Sequence, residues 1–214
     1  GKTTLGMQFM RSAALLGEKA VIYSFDEEPA LIETRCAAVG IDLGTLSADG
    51  SLSIEKVEPL EYSAEEFADW VKHAVEQHGA RCVMVDSLSG YSLSIADERP
   101  IPGLHALSKY LTSAGVSLVL AEEMSAITGD FKPTESRVSY LSDNIIFLRY
   151  IERFNAATDS VELNKIIGVL KKRLSDYDKG LHSFDNTSDG IRVGGQPLGP
   201  RSVLGGPHPL SEAP

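Results

Sequence analysis

Residues 1–29 read GKTTLGMQFMRSAALLGEKAVIYSFDEEP, and four features follow one another in that stretch. A Gly1-Lys2-Thr3-Thr4 opening leads into apolar residues at helical spacing (Leu5, Phe9, Ala13, Leu16), which predict a helix over 3–16 with Gly17 as its stop. A continuous apolar run, Ala20 to Phe25, reads as a buried strand and ends in Asp26-Glu27-Glu28-Pro29. In a phosphate loop of pattern GxxxxGK[ST], backbone N–H groups and a helix N-terminus cradle phosphate, the Lys reaches the outer phosphate oxygens and the next hydroxyl ligates Mg2+. Gly1, Lys2, Thr3 and Thr4 are therefore candidate nucleotide-binding residues, with Thr3 as the metal ligand. By itself GKTT also reads as an ordinary helix N-terminus, so the rest of the chain has to decide. The opening predicts residues ahead of Gly1 that complete the loop, and a strand leading into it. A fragment starting at Gly1 is expected to bind ATP weakly or misfold.

Working outward, Pro29 and Gly40 bracket a second helix, and Leu52 to Val57 alternates as a strand does. Ser63 with Glu66 forms a capping box opening a helix with Phe67, Trp70, Val71, Ala74 and Val75 on one face, ended by Gly79. Cys82 to Val85 is a short apolar run closed by Asp86; a helix through Leu104 to Leu111 and a strand at Val116 to Ala121 follow. Strand and helix taking turns predict an α/β fold with a parallel sheet flanked by helices. From Asn144 the pattern becomes strands alone, at Ile145 to Tyr150, Lys165 to Leu170, Leu181 to Phe184 and Ile191 to Val193, which predict an antiparallel extension of that sheet. The organisation expected is one domain over 1–193 and a Gly/Pro-rich tail over 194–214.

Bulk properties narrow the function. Thirty acidic against twenty basic residues give a net charge of -10, which removes any general attraction to nucleic acid or anionic lipid. Residues 124–137 carry Lys132 and Arg137 as cations and Phe131 as aromatic, thin for a strand-binding surface. Cys36 and Cys82 sit in apolar surroundings without CxxC or CxxH partners, and the five histidines lack ligand spacing, so buried thiols and no zinc site are expected. Trp70 reads as core. No apolar run approaches membrane-spanning length, and a soluble, cytoplasmic protein is expected.

An acid at the tip of a buried strand beside a phosphate loop can hold the shell of a metal ion, so Asp86, with Ser87 beside it, is a Walker-B-like candidate; the plainer reading is an Asp that caps the following turn. Glu27 and Glu28 allow two readings: acids that favour the positive end of a helix, or a general base that deprotonates a water. Glu123, after the strand at 116–121, is either a γ-phosphate sensor or a surface acid.

The pair Glu27-Glu28, the run Val83-Met84-Val85-Asp86-Ser87-Leu88-Ser89, the segment Leu141 to Tyr150, and Val169-Leu170-Lys171-Lys172-Arg173 occur in the order and spacing of KaiC-like ATPases, and nearly the whole chain resembles that family. The resemblance implies a RecA-like domain that binds ATP and Mg2+ and assembles into a homo-oligomeric ring, usually hexameric, with ATP between neighbouring subunits and a signalling partner not identified by the sequence. It implies that Glu27 and Glu28 are the paired catalytic glutamates, that Asp86 is the Walker B acid, and that Lys171 and Arg173 reach the γ-phosphate held by the next subunit. Such a cation stabilises the charge spread over the transferring phosphoryl group only once the ring exists. The family's clock members phosphorylate an adjacent Ser and Thr at the place occupied here by Ser139 and Tyr140; Ser139 remains a candidate phosphosite, while a two-site cycle is not expected. The expected activity is slow ATP hydrolysis with a regulatory output. The alternatives are a DNA-dependent recombinase or helicase-type ATPase, and a nucleotide-binding assembly module with little turnover.

Overall fold

The computed structural model describes residues 1–123, 141–155 and 159–197. The expectations for the loop over 124–137, for Ser139 and for the tail from 198 onward lie outside those residues. The chain forms two compact units, Gly1–Glu123 with Asn186–Ile191, and the described parts of Met124–Asp185 with Arg192–Pro214.

The first unit is a four-stranded parallel sheet built of β1 (Ala20–Ser24), β2 (Leu52–Lys56), β3 (Cys82–Asp86) and β4 (Ser117–Ala121), in the order β2-β1-β3-β4. All of β1, and β3 up to Val85, is buried, as the unbroken apolar runs require of strands covered on both faces. The helices that flank it are α1 (Lys2–Leu15), α2 (Pro29–Ala37), α3 (Gly44–Ala48), α4 (Ala64–Glu76), α5 (Leu88–Ser94) and α6 (Pro100–Ser113). This is the RecA-like α/β arrangement that the alternating pattern implies. The two short helices α3 and α5 are too brief to show a period and are not anticipated by it.

Two cores lie on opposite faces of the sheet. On one, Met7, Met10 and Ala13 of α1 and Ile32 and Cys36 of α2 pack on Ala20, Ile22, Leu52 and Met84. On the other, Tyr23 of β1 and Phe25, the residue just past it, meet Phe67, Trp70 and Tyr91 at ring-centroid distances of 5.1 to 5.7 Å, mostly edge-on, the favoured geometry for aromatic pairs. Both cysteines are free and buried, and that burial raises their thiol pKa values.

The inward face of α1 corrects the sequence reading. Leu5, Phe9 and Leu16 were expected to line it along with Ala13, yet Phe9 is 49% and Leu16 84% exposed, and the buried set is Gly6, Met7, Met10, Ala13 and Ala14. The reason is proximity. A Cβ on Gly6 would collide with the Met84 thioether of β3, so the helix lies where only small or pliable side chains fit beneath it.

α4 opens with the expected capping box: Ser63 Oγ accepts from Glu66 N at 3.2 Å, and Glu66 Oε2 accepts from Ser63 N at 2.9 Å. Ser63→Ala is expected to lower unfolding free energy by about 1 kcal/mol, measured by urea denaturation of the full chain. Gly40 (φ +73°), beyond α2, adopts a left-handed conformation, and a Cβ there would strike the Ser188–Asp189 backbone. That contact, with Gln8 Oε1 accepting from Ile191 N at 2.9 Å, seats residues 186–191 within the first unit.

The strands after Asn144 are longer than expected: β5 (Asn144–Asn155) and β6 (Ser160–Lys172) pair antiparallel in one long hairpin, joined by β7 (His182–Thr187) and β8 (Gly190–Val193) in the order β5-β6-β7-β8. Their ends carry polar residues that interrupt the apolar run, while main-chain pairing continues past them. They form a sheet of their own rather than an extension of the parallel one. No helix among the described residues is long and apolar enough to cross a membrane.

Candidate functional site

Parallel register sets the site. Ser24 of β1 is level with Asp86 of β3, and Asp86 with Ala121 of β4, so the residues just past these three positions emerge along one carboxyl edge of the sheet. The N-terminus of α1, whose N-cap is Gly1, meets that edge. Lys2, Thr3, Glu27, Asp86, Ser87 and Glu123 line one cavity there of about 140 Å3, together with Ser24 and Asp26. Residues separated by more than a hundred positions are thus gathered in one place.

Thr3 Oγ1 donates to Asp86 Oδ1 at 3.2 Å. Burial pushes the Asp86 carboxyl above its usual range, an effect partly offset by the Thr3 hydroxyl and the Arg35 charge. The turn-capping reading of Asp86 does not hold, because Ser87 fills that role: its Oγ accepts from Gly90 N at 3.1 Å as N-cap of α5, and donates to Asp26 Oδ2 at 3.2 Å. The Asp86–Ser87 peptide is cis. Gly90 is required by the same packing, since a Cβ there would lie 2.6 Å from Phe25 Cβ and 3.1 Å from an Asp26 carboxylate oxygen.

Glu27 is fixed from two sides. Its backbone bonds to Ser24 Oγ, with the hydroxyl donating to Glu27 O at 2.7 Å and accepting from Glu27 N at 3.2 Å. Its Oε1 accepts from Arg35 Nη1 of α2 at 2.6 Å, while Oε2 is buried with no hydrogen-bond partner. Glu28 differs: it is the exposed N-cap of α2, makes no side-chain cap bond and does not line the cavity. Lys2 Nζ sits 3.7 Å from Glu123 Oε1, a pair exposed enough to contribute little by itself. Thr4, half-buried in the first turn of α1, lies outside the cavity lining.

Lys171 and Arg173 belong to the second unit. Lys171 Nζ donates to Ser142 O at 2.7 Å, and Arg173 Nη1 pairs with Asp143 Oδ1 at 3.0 Å. Both thus hold the turn that starts β5.

The donor set fits Mg2+ and a nucleotide. Among the described residues no group of three or more His, Cys, Asp or Glu converges as a metal cage. Mg2+ asks for less: one or two protein oxygens, with phosphate oxygens and waters completing its shell. Thr3 Oγ1 and the desolvated Asp86 carboxylate are such oxygens, and Lys2 is the adjoining cation. Sequence reasoning assigned no part to Ser24, Asp26 or Arg35. Asp26 stood in the acidic run, but nothing local marks Arg35, eight residues beyond Glu27, as its partner.

A model of the family "ATPase: KaiC" matches residues 1–197. Among similar curated proteins, the "Circadian clock oscillator protein KaiC" of Nostoc sp. (strain PCC 7120) is 24% identical over 90% of this chain and 36% of its own length. The protein of the same description from Prochlorococcus marinus is 29% identical over 90% of the chain and 37% of its own length. The "Circadian clock protein KaiC3" of Synechocystis sp. (strain ATCC 27184) is 23% identical over 91% and 37%. The chain spans a little over a third of the length of these relatives. With the family match covering both the cavity residues and the Lys171–Arg173 strand end, the chain belongs to the KaiC ATPase family.

Proposed function

We propose that this chain is an ATP-binding, slowly ATP-hydrolysing domain that works in a ring of copies, its nucleotide state serving as a regulatory signal. The observation that carries hydrolysis is the Glu27 carboxylate, held at Oε1 by Arg35 and unpartnered at Oε2, in the cavity that Lys2, Thr3 and Asp86 line. In this reading Lys2 neutralises the outer phosphate oxygens and Thr3 and Asp86 hold the shell of the metal. Glu27 Oε2 takes a proton from the water that attacks the γ-phosphorus as the bond to the β-phosphate oxygen breaks. Bound Mg2+ supplies charge neutralisation at those oxygens. Glu28, outside the cavity lining, assists from the helix N-cap. Lys171 and Arg173 act in trans, from the neighbouring copy, and Glu123 releases Lys2 when phosphate arrives. Ser139 is a phosphate acceptor of the same assembly, to be sought by phosphopeptide mass spectrometry after incubation with ATP.

The test is ATP turnover by the full-length gene product as a function of its concentration, with and without DNA. The specific rate is expected to rise steeply with concentration and to be indifferent to DNA. Lys171→Ala and Arg173→Ala are each expected to lower the plateau rate by about 10^3-fold or more, the range for cations that act on the transition state from a neighbour. A rate independent of concentration removes the trans role. Stimulation by DNA moves the protein to the recombinase class, and binding without turnover leaves an assembly module.

A further inference from the structure

Leu60 and Leu93 are 68% and 80% exposed, and the fold brings their backbones together. Leu60 N donates to Ser94 O at 2.6 Å and Ala96 N to Tyr62 O at 2.9 Å, so the loop after β2 runs along the end of α5. Leu60 holds this place with φ at +63°, a left-handed conformation that a side chain as bulky as leucine adopts only at a cost. Along the same two loops Glu58, Glu61, Asp97 and Glu98 are exposed, against one cation, Arg99.

The opposite pattern ends β6. Leu174 is 94% exposed and follows Lys171-Lys172-Arg173, of which Arg173 pairs with Asp143 and Lys171 donates to the Ser142 carbonyl. A single exposed leucine is ordinary. Two leucines in an acidic frame and one in a basic frame, on the same chain, match in both apolar contact and charge.

Reach agrees with the match. Ser87 lines the nucleotide cavity and caps α5, and the six steps from it to Leu93 rise about 9 Å. Leu174 adjoins Arg173, and an extended Arg side chain plus one further residue spans about 10 Å. A strand end that delivers Arg173 to the cavity of a neighbour therefore carries Leu174 to the level of Leu93 and Leu60.

We propose that the Leu60–Leu93 surface is the docking site for the Lys171–Leu174 strand end of a second copy of this chain. Leu174 seats against the two leucines, and the basic residues face the acidic rim. The two patches differ, so the contact is head-to-tail and passes from copy to copy until the ring closes. The inference rests on the ring reading above and adds to it the surface that joins the copies.

The test is sedimentation velocity of the full-length gene product with the non-hydrolysed analogue AMP-PNP, over a concentration series. Leu93→Asp and Leu174→Asp are each expected to raise the assembly midpoint at least about 10-fold. Both side chains face solvent, so the melting temperature of the dissociated chain is expected to stay at the parental value. Leu93→Lys combined with Leu174→Glu in one chain is expected to recover assembly to within about 3-fold of the parent. An equimolar mixture of Leu93→Asp and Leu174→Asp is expected to stop at pairs, because only one intact contact can form between the two variants. A parent that stays monomeric at every concentration defeats the ring reading and this inference with it. A parent that assembles, while both aspartate variants assemble at its midpoint, overturns this inference alone. So does protection of Leu60 and Leu93 from hydroxyl-radical labelling in the unassembled chain, which means that another segment already covers them.

Discussion

Glu27→Gln is expected to reduce ATP turnover by about 10^2- to 10^4-fold, the contribution of a positioned general base, with ATP affinity within a few-fold of the parent. The amide keeps the size of the side chain and can still accept from Arg35 through its oxygen, so the change removes basicity at the position of Oε2 and little else. Glu28→Gln provides the comparison. Because Glu28 is exposed at the α2 N-cap and does not line the cavity, its replacement is expected to cost much less. Single-turnover hydrolysis alongside equilibrium ATP binding separates the two quantities. If Glu28→Gln proves the more damaging, the base is assigned to the wrong glutamate. If neither replacement slows turnover, no carboxylate of this pair is the base.

Asp86→Asn is expected to act in opposite directions on stability and function. Burial raises the Asp86 pKa in the folded state. The folded protein therefore prefers the protonated acid, and ionisation opposes folding. That penalty is absent below the unfolded carboxylate range, grows in as pH rises through the raised folded value and is complete above it, at about 1.4 kcal/mol for each pH unit of rise. Without Mg2+, the Asp86→Asn variant is thus expected to be more stable than the parent at pH 7, by a margin that shrinks as pH falls toward 4. The same change removes a charge from the metal's shell, and Mg2+ affinity in the presence of ATP is expected to fall about 10- to 100-fold. Thermal melts across pH, with and without Mg2+ and ATP, read both effects. A variant less stable than the parent at pH 7 without Mg2+ contradicts the desolvation argument, and unchanged Mg2+ affinity removes Asp86 from the metal site.

The two expectations share a physical basis: a carboxylate kept partly from water, a state that costs stability and gains its reward from a bound cation or a transferred proton. The parallel sheet makes this possible. Its carboxyl edge collects Ser24, Asp86 and the acids that follow β1 and β4, and the α1 N-terminus brings the opposite charge to it.

Much of this was legible along the chain. Uninterrupted apolar runs of five or so residues between helical patterns decide a parallel sheet, because strands covered on both faces cannot alternate. The GKTT opening, Asp86 at a strand tip and the Ser63/Glu66 box are local, since each needs neighbours within a few positions. Tertiary structure decided what depends on register and distance. The level alignment of β1 with β3 places Asp86 against Thr3, 83 positions away, and leaves Ser87 to cap α5. Arg35 singles out Glu27 from three consecutive acids. The close approach of α1 to Met84 turns Phe9 and Leu16 outward although their spacing suited the core. Backbone pairing makes β5 to β8 a separate sheet, and packing leaves the Tyr23 hydroxyl without a partner. Period and punctuation are properties of neighbours in sequence, so the residues alone determine the elements and their order. Which face is covered, and which polar atom is left over, is fixed when distant segments meet, and that required the fold.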